Sequence, residues 1–311
     1  MIPPRVVRGQ TIGVIAPAGP IKPKARDQLA RGLDRLASAF TVRVGPSIDA
    51  PRGADLASYL SATDEIRTAE LAAMLADPDI RAIVVARGGY GITRILPRLD
   101  PELVRRDPKP IVGFSDATAL LAWAHAAGAR GIHGPTVGQL GDLADLDVDR
   151  LVTLLTDPRP LGEQPWSLVV HGRGTHRGAL VPANLSMASL LVGTPWPLPL
   201  AGAIALFEEV GEKPYELDRY LTQLALTGVL ATITAVVLGE LVRCTDPNPP
   251  TGEPDPDDAA MRVFVDRFAA LPWAAGAPVG HGTRNAAVPF GAACELDLDR
   301  GVLSILEAAV V

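Results

Sequence analysis

The stretch Lys109-Pro110-Ile111-Val112-Gly113-Phe114-Ser115-Asp116-Ala117 limits what this chain can fold into more than any other. Residues 111–114 are apolar and β-prone, and residues 117–124, Ala-Thr-Ala-Leu-Leu-Ala-Trp-Ala, are helix-prone, with no linker between them. A strand therefore turns into a helix at a one-residue corner occupied by a serine. In a G-x-S-x-G nucleophile elbow the residues two before and two after the serine must be small, so that the backbone can turn sharply and lift Oγ above the sheet. Gly113 and Ala117 hold those places. The competing reading is plain: a serine between strand and helix can act only as a cap on a backbone N–H.

The rest of the first half repeats the strand–helix alternation. Strands are expected at residues 11–16, 41–44, 80–86, 111–114 and near 132, with helices between them. One helix carries Leu29, Leu33 and Leu36 inward, and another, starting near Ser61, carries Ile66, Leu71, Met74 and Leu75. This is the pattern of a doubly wound, mostly parallel α/β domain, in which ligands sit at the carboxyl ends of strands. Gly88-Gly89 and Ser115 both fall at such ends. Domain boundaries are expected at 1–157 for this nucleophile domain and 158–178 for a Pro- and Gly-rich interdomain linker. A smaller C-terminal α/β domain is expected at 179–311. Within the latter, strands at 203–207 and 232–241, helices at 184–191, 215–226 and 259–270, a short strand near Pro278-Val279 and a hairpin turning at Asp299-Arg300-Gly301 are expected. Residues 245–258, rich in proline and acid, read as a solvated loop.

Composition excludes several functions. A chain of 311 residues with 48% hydrophobic content can fill two cores, and its net charge of −6 leaves no bulk basic face for nucleic acid. The N-terminus lacks a signal-peptide core and no apolar run is long enough to span a bilayer, so a cytoplasmic protein with no membrane partner is expected. Cys244 and Cys294 have neither disulfide nor zinc-ligand spacing, and no metal or cofactor is expected.

A serine nucleophile needs a base, a group to orient it, and N–H donors for the oxyanion. Of the five histidines, His125, His133, His171 and His176 have ready structural explanations. His281 sits between Gly280 and Gly282, which give backbone freedom and room for a substrate, although a turn histidine would look the same. Glu208 follows a buried apolar run, where a carboxylate needs a partner. Glu209 would face the other side of the same strand, so the choice between the two acids depends on register. The glycines of Gly88-Gly89-Tyr90-Gly91 lack phosphate-loop spacing. An N–H from Gly88 or Gly89, with that of Asp116, suits an elbow's oxyanion hole better.

Taken together, Thr11-Ile12-Gly13-Val14-Ile15-Ala16-Pro17, Ala86-Arg87-Gly88-Gly89-Tyr90-Gly91, Gly113-Phe114-Ser115-Asp116, His133-Gly134-Pro135, Phe207-Glu208-Glu209-Val210 and Gly280-His281-Gly282 resemble the LD-carboxypeptidase family of serine peptidases, which includes the microcin C immunity peptidases. The resemblance implies a Ser115-Glu208-His281 triad, with the serine in one domain and its partners in the other. It also implies an N-terminal domain like that of class I glutamine amidotransferases, and a homodimer. The implied reaction is hydrolysis of an L,D-peptide bond, releasing terminal D-alanine from cytoplasmic muropeptide tetrapeptides through an acyl-enzyme. Arg87, Tyr90 and Arg284 are candidate substrate contacts, the arginines for carboxylates. Where relatives often carry Gly-Gly before Asn184-Leu185-Ser186, this chain has Pro182-Ala183, and Gln10 and Ala18 replace a common Asp and Ser. These departures bear on the shape of the substrate pocket. Two alternatives stand beside this reading. One is a microcin-type peptidase acting on a peptidyl-nucleotide, for which Trp166 is the aromatic candidate to stack on a base. The other is a non-catalytic ligand-binding α/β protein.

Overall fold

The computed structural model describes residues 1–50, 57–253, 256 and 258–311. They form two compact units. The first is Met1–Pro160 with Asn285–Gly291 and Ala308–Val311, and the second is Leu161–Arg284 with Ala292–Glu307.

The first unit is built on β1 (Thr11–Ile15), β2 (Thr41–Val44), β3 (Ile80–Val85), β4 (Ile111–Gly113) and β5 (Ile132–His133), all parallel, with β12 (Val288–Pro289) antiparallel on the β5 edge. β3 lies inside the sheet and is buried everywhere but Arg81, which explains its unbroken apolar run. The order β12-β5-β4-β3-β1-β2 reverses direction between β1 and β3, the place where doubly wound sheets open a crevice at their carboxyl ends. The loops after these two strands meet there. Ala86 N–H donates to Ile15 O at 2.7 Å and Gly19 N–H to Gly88 O at 3.1 Å.

The helix Asp64–Ala76 starts where Thr63 Oγ1 accepts from Ile66 N–H. Its inner face differs from expectation. Leu71, Met74 and Leu75 are buried, but Ile66 is exposed and Arg67 is completely buried in its place. Polar loops, not a hydrophobic wall, face that turn: the Arg67 guanidinium donates to Pro17 O, Ala62 O, Gly91 O and Asp64 Oδ1. Leu29 and Leu36 are buried in the helix Arg26–Ala37, whereas Leu33 is only half-buried.

The second unit is a mixed sheet of order β6-β14-β13-β8-β9-β10-β11-β7. Its parallel centre is β8 (Thr175–Asn184), β9 (Ile204–Val210), β10 (Ala235–Val242) and β11 (Trp273–Ala275). β13 (Ala292–Asp297) and β14 (Val302–Ile305) form the expected hairpin. Residues 158–178, expected as a linker, instead supply β6 (Gly162–Glu163), β7 (Val169–His171) and the start of β8. The prolines and glycines there separate short outer strands, where breaks in the ladder are tolerated. Pro278-Val279 is not a strand. Its neighbour β11 takes that place, and Val279 O accepts a single bond from Glu240 N–H at 2.9 Å. The C-terminal expectation of one continuous domain over 179–311 fails in two places, since 285–291 and 308–311 return to the first unit. In the loop 245–258, Pro254, Asp255 and Asp257 lie outside the described residues, and Asp246 is buried with Lys213 Nζ at 3.4 Å. No helix among the described residues is long and apolar enough to cross a membrane.

Candidate active site

Ser115 stands at φ +60°, one of two non-glycine residues with positive φ among those described. That region costs an L-residue about 1–3 kcal/mol and persists where the surroundings enforce it. The enforcing contacts are local. β4 ends at Gly113, a 3-10 turn covers Ser115–Ala117, and the helix Thr118–Ala126 follows at once. A Cβ on Gly113 would lie 2.7 Å from that of Ala117, so the two small residues are packed against each other across the corner. A Cβ on Gly88 would likewise stand 2.9 Å from Ser115 Oγ. The glycine loop therefore runs directly past the hydroxyl, which an ordinary cap between strand and helix does not require.

Gly89 continues this loop at φ +116°, and a side chain there would press on the backbone of Gly19 at 3.1 Å. Asp116 ties the loop's far end to the corner, its Oδ2 accepting from Ile92 N–H at 3.0 Å. Burial pushes the Asp116 pKa up to about 6 against the pull of these N–H donors and of Arg67. Arg87 turns back along the loop, with Nη1 donating to Pro20 O, and burial lowers its pKa. Tyr90 is 47% exposed and meets Tyr59, 53% exposed, edge to face at 5.7 Å.

In the second unit, β9 alternates at its carboxyl end and so separates the two acids. Glu208 is completely buried, and its Oε2 lies 2.6 Å from His281 Nδ1. Glu209 faces the other way, where its carboxylate accepts from Asn184 Nδ2, Ser186 N–H and Val210 N–H, anchoring the helix Leu185–Leu190. Burial raises the Glu209 pKa against those bonds. The glycines around His281 also make room for carboxylates. A Cβ on Gly280 would fall 2.9 Å from Glu208 Oε2, and one on Gly282 would fall 1.7 Å from Glu240 Oε2. Gly280 also sits at φ +137°, a conformation suited to glycine.

Arg284 is half-buried at the last position of its segment in the second unit. The other histidines have local settings: His133 is buried in β5 against Phe114, His125 meets the Phe290 ring edge, His171 stacks on Trp273 at 3.7 Å, and His176 bonds Arg173 O. The sequence reading missed Arg67 and Asp64, which hold the loops beside the corner, and named Glu209 only as the rival of Glu208, not as the anchor of the helix after β8. Charged residues at core positions of a helix are the signal that could have found the first two.

Residues 12–134 match the LD-carboxypeptidase N-terminal domain and residues 177–296 the LD-carboxypeptidase C-terminal domain. The murein tetrapeptide carboxypeptidase of Pseudomonas aeruginosa is 34% identical over 78% of this chain and 80% of its own. Among solved structures, the muramoyltetrapeptide carboxypeptidase of Oxalobacter formigenes has a TM-score of 0.80 at 26% identity, covering 96% of this chain and 99% of its own. The microcin C7 self-immunity protein MccF in complex with glutamyl sulfamoyl guanosine has a TM-score of 0.86 at 23% identity, covering 100% and 99%, a likeness of fold.

Proposed function

The chain belongs to the LD-carboxypeptidase family of serine-type hydrolases, and on that premise we propose that Ser115, Glu208 and His281 are its catalytic triad and that it releases terminal D-alanine from muropeptide tetrapeptides. Membership of the family sets aside the reading of a non-catalytic binding protein.

The observation that carries the proposal is the fully buried Glu208 carboxylate 2.6 Å from His281 Nδ1. A carboxylate in that position fixes the tautomer that presents Nε2 as a base, and stabilises the imidazolium once a proton arrives. His281 Nε2 takes the Ser115 proton as Oγ attacks the carbonyl of the L,D bond. The N–H groups of Asp116 and of Gly88 or Gly89 hold the oxyanion. His281 then protonates the leaving D-alanine amine, and water hydrolyses the acyl-enzyme by the reverse relay. Hydrolysis of a tetrapeptide with a C-terminal D-alanine, followed by release of the free amino acid, tests this. Ser115→Ala with full turnover would overturn it.

A second reading keeps these residues and takes a peptidyl-nucleotide. The exposed Tyr59–Tyr90 pair beside the glycine loop favours it, because it offers aromatic faces to a base in a way that half-buried Trp166 does not. A panel setting the tetrapeptide against an aminoacyl-sulfamoyl adenosine separates the two. The cytoplasmic setting and the homodimer implied by the family belong to the same proposal. Fractionation and sedimentation velocity test them.

A further inference from the structure

Asp116 enters the mechanism above only through its backbone N–H. Its side chain is 3% exposed, and its Oδ2 accepts from Ile92 N–H at 3.0 Å, while the neighbouring Gly91 amide helps to hold its pKa down against burial. The Ile92 amide closes the loop that begins at Gly88. Gly91 stands at φ +132°, with no space for a side chain between Leu60 and Arg67. A single carboxylate thus bridges the two peptide segments that supply the oxyanion donors, its own and the glycine loop. Gly113, Ala117 and the first turn of the following helix carry only small, apolar or hydroxyl side chains.

We propose that the Asp116 carboxylate is a positioning group of the oxyanion site: ionised, it locks the loop 88–92 to the Ser115 corner, and protonated, it releases that lock. The inference rests on the assignment of Ser115 and its oxyanion donors made above. The charged group facing Asp116 from the helix Asp64–Ala76 is Arg67, itself paired with Asp64, which also binds Arg94. In the helix Thr118–Ala126 the first titratable side chain is His125, in the last turn. With its pKa pushed up to about 6 by burial, Asp116 is ionised at neutral pH and mostly protonated one unit below that value. The sign for stability runs the other way. A carboxylate with a folded pKa above its unfolded one weakens the fold as pH rises through the window from 3.8 to about 6. Acidification therefore loosens the oxyanion site while Asp116's own contribution to stability grows, so loss of turnover is not loss of fold.

The test follows the full-length protein and Asp116→Asn, which keeps one acceptor and cannot titrate. In the wild type the Ile92 amide proton shift moves with a midpoint near pH 6, and in Asp116→Asn it stays flat. On the tetrapeptide, the ratio of variant to wild-type kcat rises about tenfold between about pH 7.5 and about pH 5, with KM little changed. A flat Ile92 shift in the wild type, or parallel kcat profiles in the two proteins, overturns the proposal. Absence of wild-type turnover overturns the substrate reading alone. The Ile92 titration needs no substrate and still decides for or against the lock.

Discussion

At Ser115 the side chain is aimed by the backbone: a left-handed φ, Gly113 packed on Ala117, and Gly88 passing the hydroxyl, all but one within five consecutive residues. At His281 it is aimed by burial. A carboxylate from 73 residues earlier is stripped of water, and the strand end around it leaves space for nothing larger than glycine at 280. The first arrangement stores local strain. The second stores the desolvation of a charge, which its partner relieves. Strain of the first kind can be removed without loosening the fold, whereas the second arrangement cannot lose a member without leaving a buried group unpaired.

That contrast is tested first, and most sharply, at Ser115→Gly. Turnover of the tetrapeptide should fall about ten-thousand-fold, while thermal stability rises by about 1 kcal/mol as the left-handed residue becomes glycine. A drop in melting temperature would mean that the corner is not strained. Glu208→Gln should lower kcat about a thousandfold or more with little effect on KM, because the imidazole loses the charge that orients it. Arg67→Met, measured by urea unfolding, should destabilise by about 3 kcal/mol by leaving Asp64 buried beside unpaired loop carbonyls. Gly280→Ala should cost about 2 kcal/mol by forcing a methyl group against Glu208. Its effect should appear in turnover as well as stability, unlike that of Arg67→Met. The smallest effect is a pH slope. Hydrogen bonding from Arg94, then the charge of Arg67, hold the Asp64 pKa below the ordinary carboxylate value. Its contribution is thus complete above pH 3.8 and lost as the pH falls below it, and Asp64→Asn should flatten the urea midpoint over that range.

The same contrast explains what was legible in the sequence. The corner was readable because its determinants are contiguous, and the parallel sheet because fully buried strands print unbroken apolar runs such as residues 82–86. Glu208 against Glu209 was not readable, because a shift of one residue exchanges their faces and only the finished sheet fixes it. Gly280 and Gly282 were visible, but the carboxylates occupying the space beside them lie in other strands. Arg67 broke the expected helix face because polar loop carbonyls, absent from any local pattern, supply its environment. Residues 158–178 read as linker since short outer strands next to proline carry too little periodicity to register.

The strand β12 carries a consequence for how the molecule is made. It pairs Val288 with His133 and Pro289 with Ile132, while Asn285 Nδ2 donates to Gln139 Oε1 and Phe290 N–H to Gly131 O. The β5 edge of the sheet bearing Ser115 therefore stays open during synthesis until residues 288–289 have been made. By then Glu208 and His281 have already emerged. A chain ending before residue 288 would hold the serine strand in a sheet with its β5 edge unsealed, open to pairing with another strand.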